Sequence, residues 1–213
     1  MTLKRRLSIL ILVSWVTMCV PAIAGTYNQV LSIGDKAPSW KSLPGTDDKD
    51  HSLDDLKNTK VVVVVFTCNS CPYAVDVEDR LIKLHKDFAD KGVAVVAINV
   101  NKVEEDKLPT MKEKAQKKKF PFVYLHDETQ KIAKDYGAIF TPEFYVLDQN
   151  RKVAYMGSLD DSPDGKKEIT KRFVHDAINA VLDGKTPPIP ETVSIGCRVR
   201  YERTRRTRRK KVK

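Results

Sequence analysis

The stretch Val61-Val62-Val63-Val64-Val65-Phe66-Thr67-Cys68-Asn69-Ser70-Cys71-Pro72 decides how the rest of the chain is read. Five valines and a phenylalanine without a charge describe a strand buried on both faces, the usual condition of a central parallel strand. Two cysteines separated by two residues follow directly. Pro72 suits the first turn of a helix, where no hydrogen bond from its nitrogen is missed. Residues 68–91 carry a helical period: Ala74, Val77, Leu81, Leu84, His85 and Phe88 make one stripe, with Glu78, Asp79, Lys83 and Lys86 outside it, and Gly92 stops the helix. On such a helix Cys68 and Cys71 share a face, about 4.5 Å apart along the axis, near the separation a disulfide needs. The free amides and dipole at the helix start favour a thiolate on Cys68, and Cys71, one turn in, is the natural resolving thiol.

Upstream, residues 27–60 are polar and rich in turns, with a short helical turn in Ser52-Leu53-Asp54-Asp55-Leu56 for which Ser52 is the N-cap. Downstream, 93–98 reads as a second buried strand and 104–119 as a charged surface helix interrupted early by Pro109. A third strand spans 122–125, and a short helix over 128–136 is closed by Gly137. Strands at 143–147 and 152–156 form a hairpin across Asp148-Gln149-Asn150-Arg151. The last helix covers 166–182, with Ile169, Phe173, Ala177, Ile178 and Val181 on its buried side. The order β-α-β-α-β-α-β-β-α predicts an α/β fold. A right-handed parallel crossover opens it and an antiparallel hairpin closes it, so the central sheet is mixed and flanked by helices, with an N-terminal extension.

At 213 residues the chain suits one domain plus appendages, and 41% hydrophobic residues suit a globular core. The net charge of +10 belongs to the ends: residues 198–213 hold ten Lys or Arg against one acid, and Lys4, Arg5 and Arg6 add three more, leaving 25–197 at −2. No nucleic-acid partner is expected from such a body; the basic tail offers contact with an anionic surface. Residues 1–24 read as a signal peptide: a positive start, an apolar run over 7–20, and small residues before a cleavage point after Ala24. Cys19 is lost with it. The expected division is a signal peptide at 1–24, one domain at 25–186, and a Pro-rich linker and basic tail at 187–213, in a protein exported to the periplasm or cell envelope. Export places the remaining cysteines, Cys68, Cys71 and Cys197, where disulfides persist.

A closed zinc site needs four ligands, yet the third cysteine lies 126 residues beyond Cys71, and His51, His85, His126 and His175 form no close pair. A structural staple across two residues removes little chain entropy. The pair makes better sense as a reagent. Thr141-Pro142 supports that reading, because Pro142 can enter the following strand only at its first position.

Together these pieces resemble the thioredoxin superfamily, closest to exported branches related to the TlpA and ResA reductases and the AhpC/TSA redoxins. The resemblance covers residues 33–183 and includes Gly34-Asp35-x-Ala37-Pro38, the strand leading into Cys68-x-x-Cys71-Pro72, Tyr136-Gly137-x-x-x-Thr141-Pro142 and Phe144-Tyr145-Val146-Leu147-Asp148. It implies a thioredoxin fold and a thiol-disulfide oxidoreductase that reduces partner disulfides through a mixed disulfide on Cys68, without a cofactor. It also implies a cis Pro142 facing the dithiol, with Thr141 presenting backbone to a bound partner. The implied partners are disulfide- or dithiol-bearing proteins and an electron-donating reductase.

The chain departs from the pattern in three places. Thr67 stands where a Trp precedes the first cysteine, and Val62 where thioredoxins keep a buried acid, for which Asp76, Glu78 or Asp79 are the candidate substitutes. Val61 and Val65 hold the Pro and Thr positions of the peroxiredoxin motif, which leaves a thiol peroxidase of the AhpC/TSA group as an alternative. A second alternative is a copper chaperone of the SCO kind, although those proteins space their cysteines by three residues and add a distant histidine. Cys197, in Ser194-Ile195-Gly196-Cys197, leaves three roles open: an additional resolving or regulatory thiol, a bridge between chains, or an unpaired tail cysteine.

Overall fold

The computed structural model describes residues 25–202, so the expected signal peptide at 1–24 and the basic residues 203–213 lie outside the described residues. Residues 25–60 form the N-terminal extension. It contains a two-stranded hairpin, β1 (Leu43–Pro44) and β2 (Asp50–His51), and a 3-10 turn at Leu53–Leu56 where Asp55 accepts the Ser52 N–H at 2.7 Å. Then come β3 (Val61–Phe66), α1 (Pro72–Asp76), α2 (Glu78–Phe88), β4 (Val93–Asn99), α3 (Leu108–Lys118), β5 (Val123–His126) and α4 (Lys131–Tyr136). They are followed by β6 (Phe140–Thr141), β7 (Glu143–Leu147), β8 (Val153–Gly157), α5 (Phe173–Leu182) and β9 (Cys197–Arg198).

The five-stranded sheet runs β5-β4-β3-β7-β8, with β3 parallel to β4 and antiparallel to β7. This is the mixed sheet of a thioredoxin fold, and β3 lies at its centre because it can bury both faces. Val62, Val64 and Phe66 enter one core with Trp40, Tyr136 and Tyr145. Val61, Val63 and Val65 enter the other with Leu81, Phe88, Met111 and Ile178. Phe66 is fully buried and meets Tyr136 and Tyr145 edge-on, with centroids 5.3 and 5.8 Å away.

Several elements differ from their sequence expectations, each for a local reason. The helix expected over 68–91 is two, broken at Val77, and neither contains Cys68. Glu78, expected on the solvated side, is buried and bridges to Lys114 and Lys118 of α3. Pro109 does not interrupt a helix but opens one, since α3 begins at Leu108 and a first-turn proline misses no bond. The last helix begins at Phe173 rather than 166, because the Asp161 carboxylate takes the Thr170 and Lys171 amides and holds that segment as a loop. Gly92 and Gly137 end their helices in the left-handed conformation, as expected.

Beyond the expected domain end at 186 the described residues stay in contact with the domain. Residues 187–202 return across the domain: Thr192 N–H bonds Met156 O at 3.1 Å, β9 pairs antiparallel with β6, and Tyr201 donates to Ala138 O at 2.6 Å. Val199 is buried in the core. Phe66→Ala removes the ring that joins the central strand to the tyrosine pair and is expected to cost about 3–5 kcal/mol, read as a fall in the urea midpoint at unchanged slope.

Candidate active site

Thr67, the last residue tied to the sheet, donates its N–H to Ile98 O at 3.0 Å, and the chain then leaves β3. The amides it exposes at Asn69 and Ser70 need acceptors. Asp106, fully buried, supplies them: its Oδ1 accepts Asn69 N–H at 2.5 Å and Ser70 N–H at 3.2 Å, and its Oδ2 accepts the Ser70 hydroxyl at 2.6 Å. Asn99 and Asn101, at the end of β4, donate their side-chain amides to the same carboxylate at 3.1 and 3.2 Å. Asn69 is tied down twice more, donating to Glu105 O at 2.7 Å and accepting from the Tyr124 hydroxyl at 2.9 Å. The dipeptide between the cysteines is therefore clamped from outside by one buried acid.

Cys71 is the N-cap residue of α1, with Pro72 following it into the first turn. Both sulfurs meet Thr141: Cys68 Sγ lies 3.4 Å from its hydroxyl, and Cys71 Sγ lies 3.1 Å from its carbonyl oxygen. The Thr141–Pro142 peptide is cis. Glu143 pins this corner, its Oε2 accepting Ile139 and Phe140 N–H at 2.9 and 3.0 Å and its Oε1 accepting the Tyr145 hydroxyl at 2.9 Å; burial raises its pKa. Cys197, on β9, packs against the pair. All three cysteines are free thiols, and Cys68 and Cys71 are each only 2% exposed.

The two thiols are electrostatically coupled. Cys71 is surrounded by donors, first the Cys68 thiol and then, against the penalty of burial, the Cys197 thiol and the Ala74 amide, which push its pKa down to about 5. The Thr141 carbonyl, which accepts from the Cys71 thiol, opposes this and favours the protonated form. Cys68 is raised, chiefly by the proton it shares with Cys71, then by burial, and further by the negative charge of Asp106. The two sulfurs thus titrate as one pair, the first proton leaving well below the ordinary thiol value because the second stays shared between them.

Of the three acids considered as substitutes for the buried one, Asp76 and Asp79 are exposed, while Glu78 lines a small cavity together with Cys68 and Tyr124. Asp106 was missed because Glu104-Glu105-Asp106 looks like surface-helix charge. The pattern Asn99-x-Asn101 at a strand end was the available signal. Among the described residues, no group of three or more His, Cys, Asp and Glu is arranged to hold a metal ion.

Two outcomes follow from this geometry. In the reduced protein the first thiol proton leaves with a midpoint of about 5 rather than near 9, read by thiolate ultraviolet absorbance against pH. Asp106→Ala leaves several buried donors without acceptors and is expected to cost more than about 2 kcal/mol, measured by urea unfolding of the reduced form.

Residues 33–156 match the AhpC/TSA family. No curated protein matches the chain. Among solved structures it is similar to an uncharacterized conserved protein from Geobacillus kaustophilus, with 37% identity over 83% of this chain and 96% of that one and a TM-score of 0.77. It is also similar to a hypothetical protein from Sinorhizobium meliloti 1021, with 32% identity over 84% of this chain and 99% of that one and a TM-score of 0.77. A thiol:disulfide interchange protein of the thioredoxin family from Chlorobium tepidum TLS shares the fold, with 18% identity over 71% of this chain and 98% of that one and a TM-score of 0.55. With its matched segment running from the N-terminal extension through the dithiol and cis-proline to β8, the chain belongs to the AhpC/TSA family and is an oxidoreductase of thioredoxin fold.

Proposed function

We propose that the protein is an exported thiol-disulfide oxidoreductase of the periplasm or cell envelope that reduces partner disulfides with the Cys68–Cys71 dithiol. The observation that carries this reading is the pair of thiols lying against the cis Thr141–Pro142 corner, where each sulfur meets Thr141. The proton lies between two sulfurs in contact, so its transfer to Cys71 leaves a thiolate on Cys68. That thiolate attacks a partner disulfide and forms a mixed disulfide, expelling one partner thiolate. Cys71 then attacks Cys68 Sγ, releases the second partner thiol and leaves the Cys68–Cys71 disulfide. An electron-donating reductase returns the pair to the dithiol. No cofactor enters these steps.

Export rests on the 1–24 segment, and the basic residues near the C-terminus supply contact with an anionic envelope surface. Val61 and Val65, in place of the Pro and Thr of the peroxidase motif, weigh against a peroxide substrate. The test is insulin reduction with a thiol donor. Wild type is active, and Cys68→Ser and Cys71→Ser each lose the activity. A two-electron potential of about −270 mV, typical of reductants, is expected, whereas about −120 mV would make the protein an oxidant of its partners. Rapid peroxide consumption without insulin reduction would replace this reading with the peroxidase.

A further inference from the structure

The C-terminal segment carries the third cysteine into the site by means the dithiol itself does not need. Strand β9 lies antiparallel on β6 in a register that sets Cys197 opposite Thr141. Thr141 is the residue both other cysteines touch, and its hydroxyl also lies 3.4 Å from Cys197 O. The approach is made possible by Gly196, where a Cβ would collide with the Thr141 carbonyl. Only glycine lets the segment lie this close.

The segment is fastened at both ends. Before Cys197, Ser158 N–H donates to Thr192 Oγ1 at 3.0 Å and the Ser158 hydroxyl to Val193 O at 2.8 Å. After it, Val199 N–H bonds Ile139 O at 2.8 Å, Arg200 N–H bonds Asn101 Oδ1 at 3.1 Å, and Gln130 holds Arg200 O and Glu202 N–H at 2.9 and 2.8 Å. Asn101 is also a donor to Asp106, so the strap and the dithiol loop hang on the same side chain. An unattached tail would need none of this. The thiol it delivers is half-buried, while Cys68 and Cys71 are closed off.

We propose that Cys197 is a third redox thiol of this site, which takes the Cys68–Cys71 disulfide into a Cys71–Cys197 disulfide on the docked strand. The proposal rests on the thiol-disulfide reading above for the origin of the Cys68–Cys71 disulfide. Reduction of a partner disulfide leaves that bond in the protein and two thiols on the partner. Cys197, packed against the pair and paired electrostatically with Cys71, loses its proton to solvent and attacks Cys71 Sγ. The Cys71–Cys197 bond forms, the Cys68–Cys71 bond breaks, and its electron pair leaves on Cys68 as a thiolate. The exchange is internal and needs no further oxidant. Its product is an oxidised protein whose nucleophile is free and whose covering strand is covalently fastened over the site.

The test uses the full mature chain, oxidised with a stoichiometric model disulfide, alkylated in acid and mapped by peptide mass spectrometry. The expected result is Cys71–Cys197 as the majority bridge with the label on Cys68, and loss of the Cys68 label in Cys197→Ser, which retains only Cys68–Cys71. A Cys68–Cys71 bridge with Cys197 labelled in wild type overturns the proposal, as does a Cys68–Cys197 bridge or a Cys197–Cys197 link between chains. Gly196→Ala provides an independent variant that keeps every thiol. Pushing the strand off Thr141 is expected to shift the bridge to Cys68–Cys71, and an unchanged Cys71–Cys197 majority there removes the role given to strand docking. Insulin reduction measured in parallel separates the two readings. Loss of activity in Cys68→Ser with only Cys68–Cys71 mapped in wild type retains the oxidoreductase and removes the third thiol, while an inactive wild type removes the oxidoreductase.

Discussion

The register between β3 and β7 places Phe66 opposite Glu143, and the chemistry of this protein depends on it. The residues just past the end of one strand, 67 and 68, are thereby brought beside those just before the start of the other, 141 and 142. A one-residue slip would turn the valines of β3 to the wrong cores and carry Thr141 away from both sulfurs. Because β3 is buried on both faces, such a slip exposes or clashes a full row of side chains. The hydrophobic cores therefore hold the distance between the dithiol and the cis-proline corner.

Where the chain leaves β3 it has no ladder to satisfy its amides, and the buried Asp106 takes that place. The same carboxylate that fixes the Asn69–Ser70 backbone repels negative charge on Cys68. Structural and electrostatic roles are thus joined in one group. The loop is fastened at two successive amides, and negative charge on Cys68 is opposed by the same acid. Glu143 does the parallel work on the opposite side, holding the Ile139 and Phe140 amides so that β6 stays presented to β9.

Legibility in the sequence followed the range of the interaction. The unbroken valine run, the two cysteines after it, Thr141–Pro142 and the closing hairpin could all be read, since each depends on local composition and on spacing within a few residues. The helix starting at 166 and the helix expected through Cys68 could not. Their boundaries are decided by Asp161 taking the Thr170 and Lys171 amides and by the extended backbone of Cys71 ahead of Pro72, which local periodicity does not encode. Asp106 was hidden for the same reason: three consecutive acids look solvated until Asn99 and Asn101 are seen to converge on one of them.

The sequence by itself determined that this is an α/β chain built on a buried central strand with a dithiol at its end, because strand burial and cysteine spacing are written in neighbouring residues. Only the tertiary structure decided how the two sulfurs share a proton and where Cys197 belongs. The charge depends on how many donors surround each sulfur, and those donors come from three separate segments. The place of Cys197 depends on a two-residue strand pairing across more than fifty residues, admitted by Gly196 and held by Gln130 and Asn101, a contact with no periodicity to announce it.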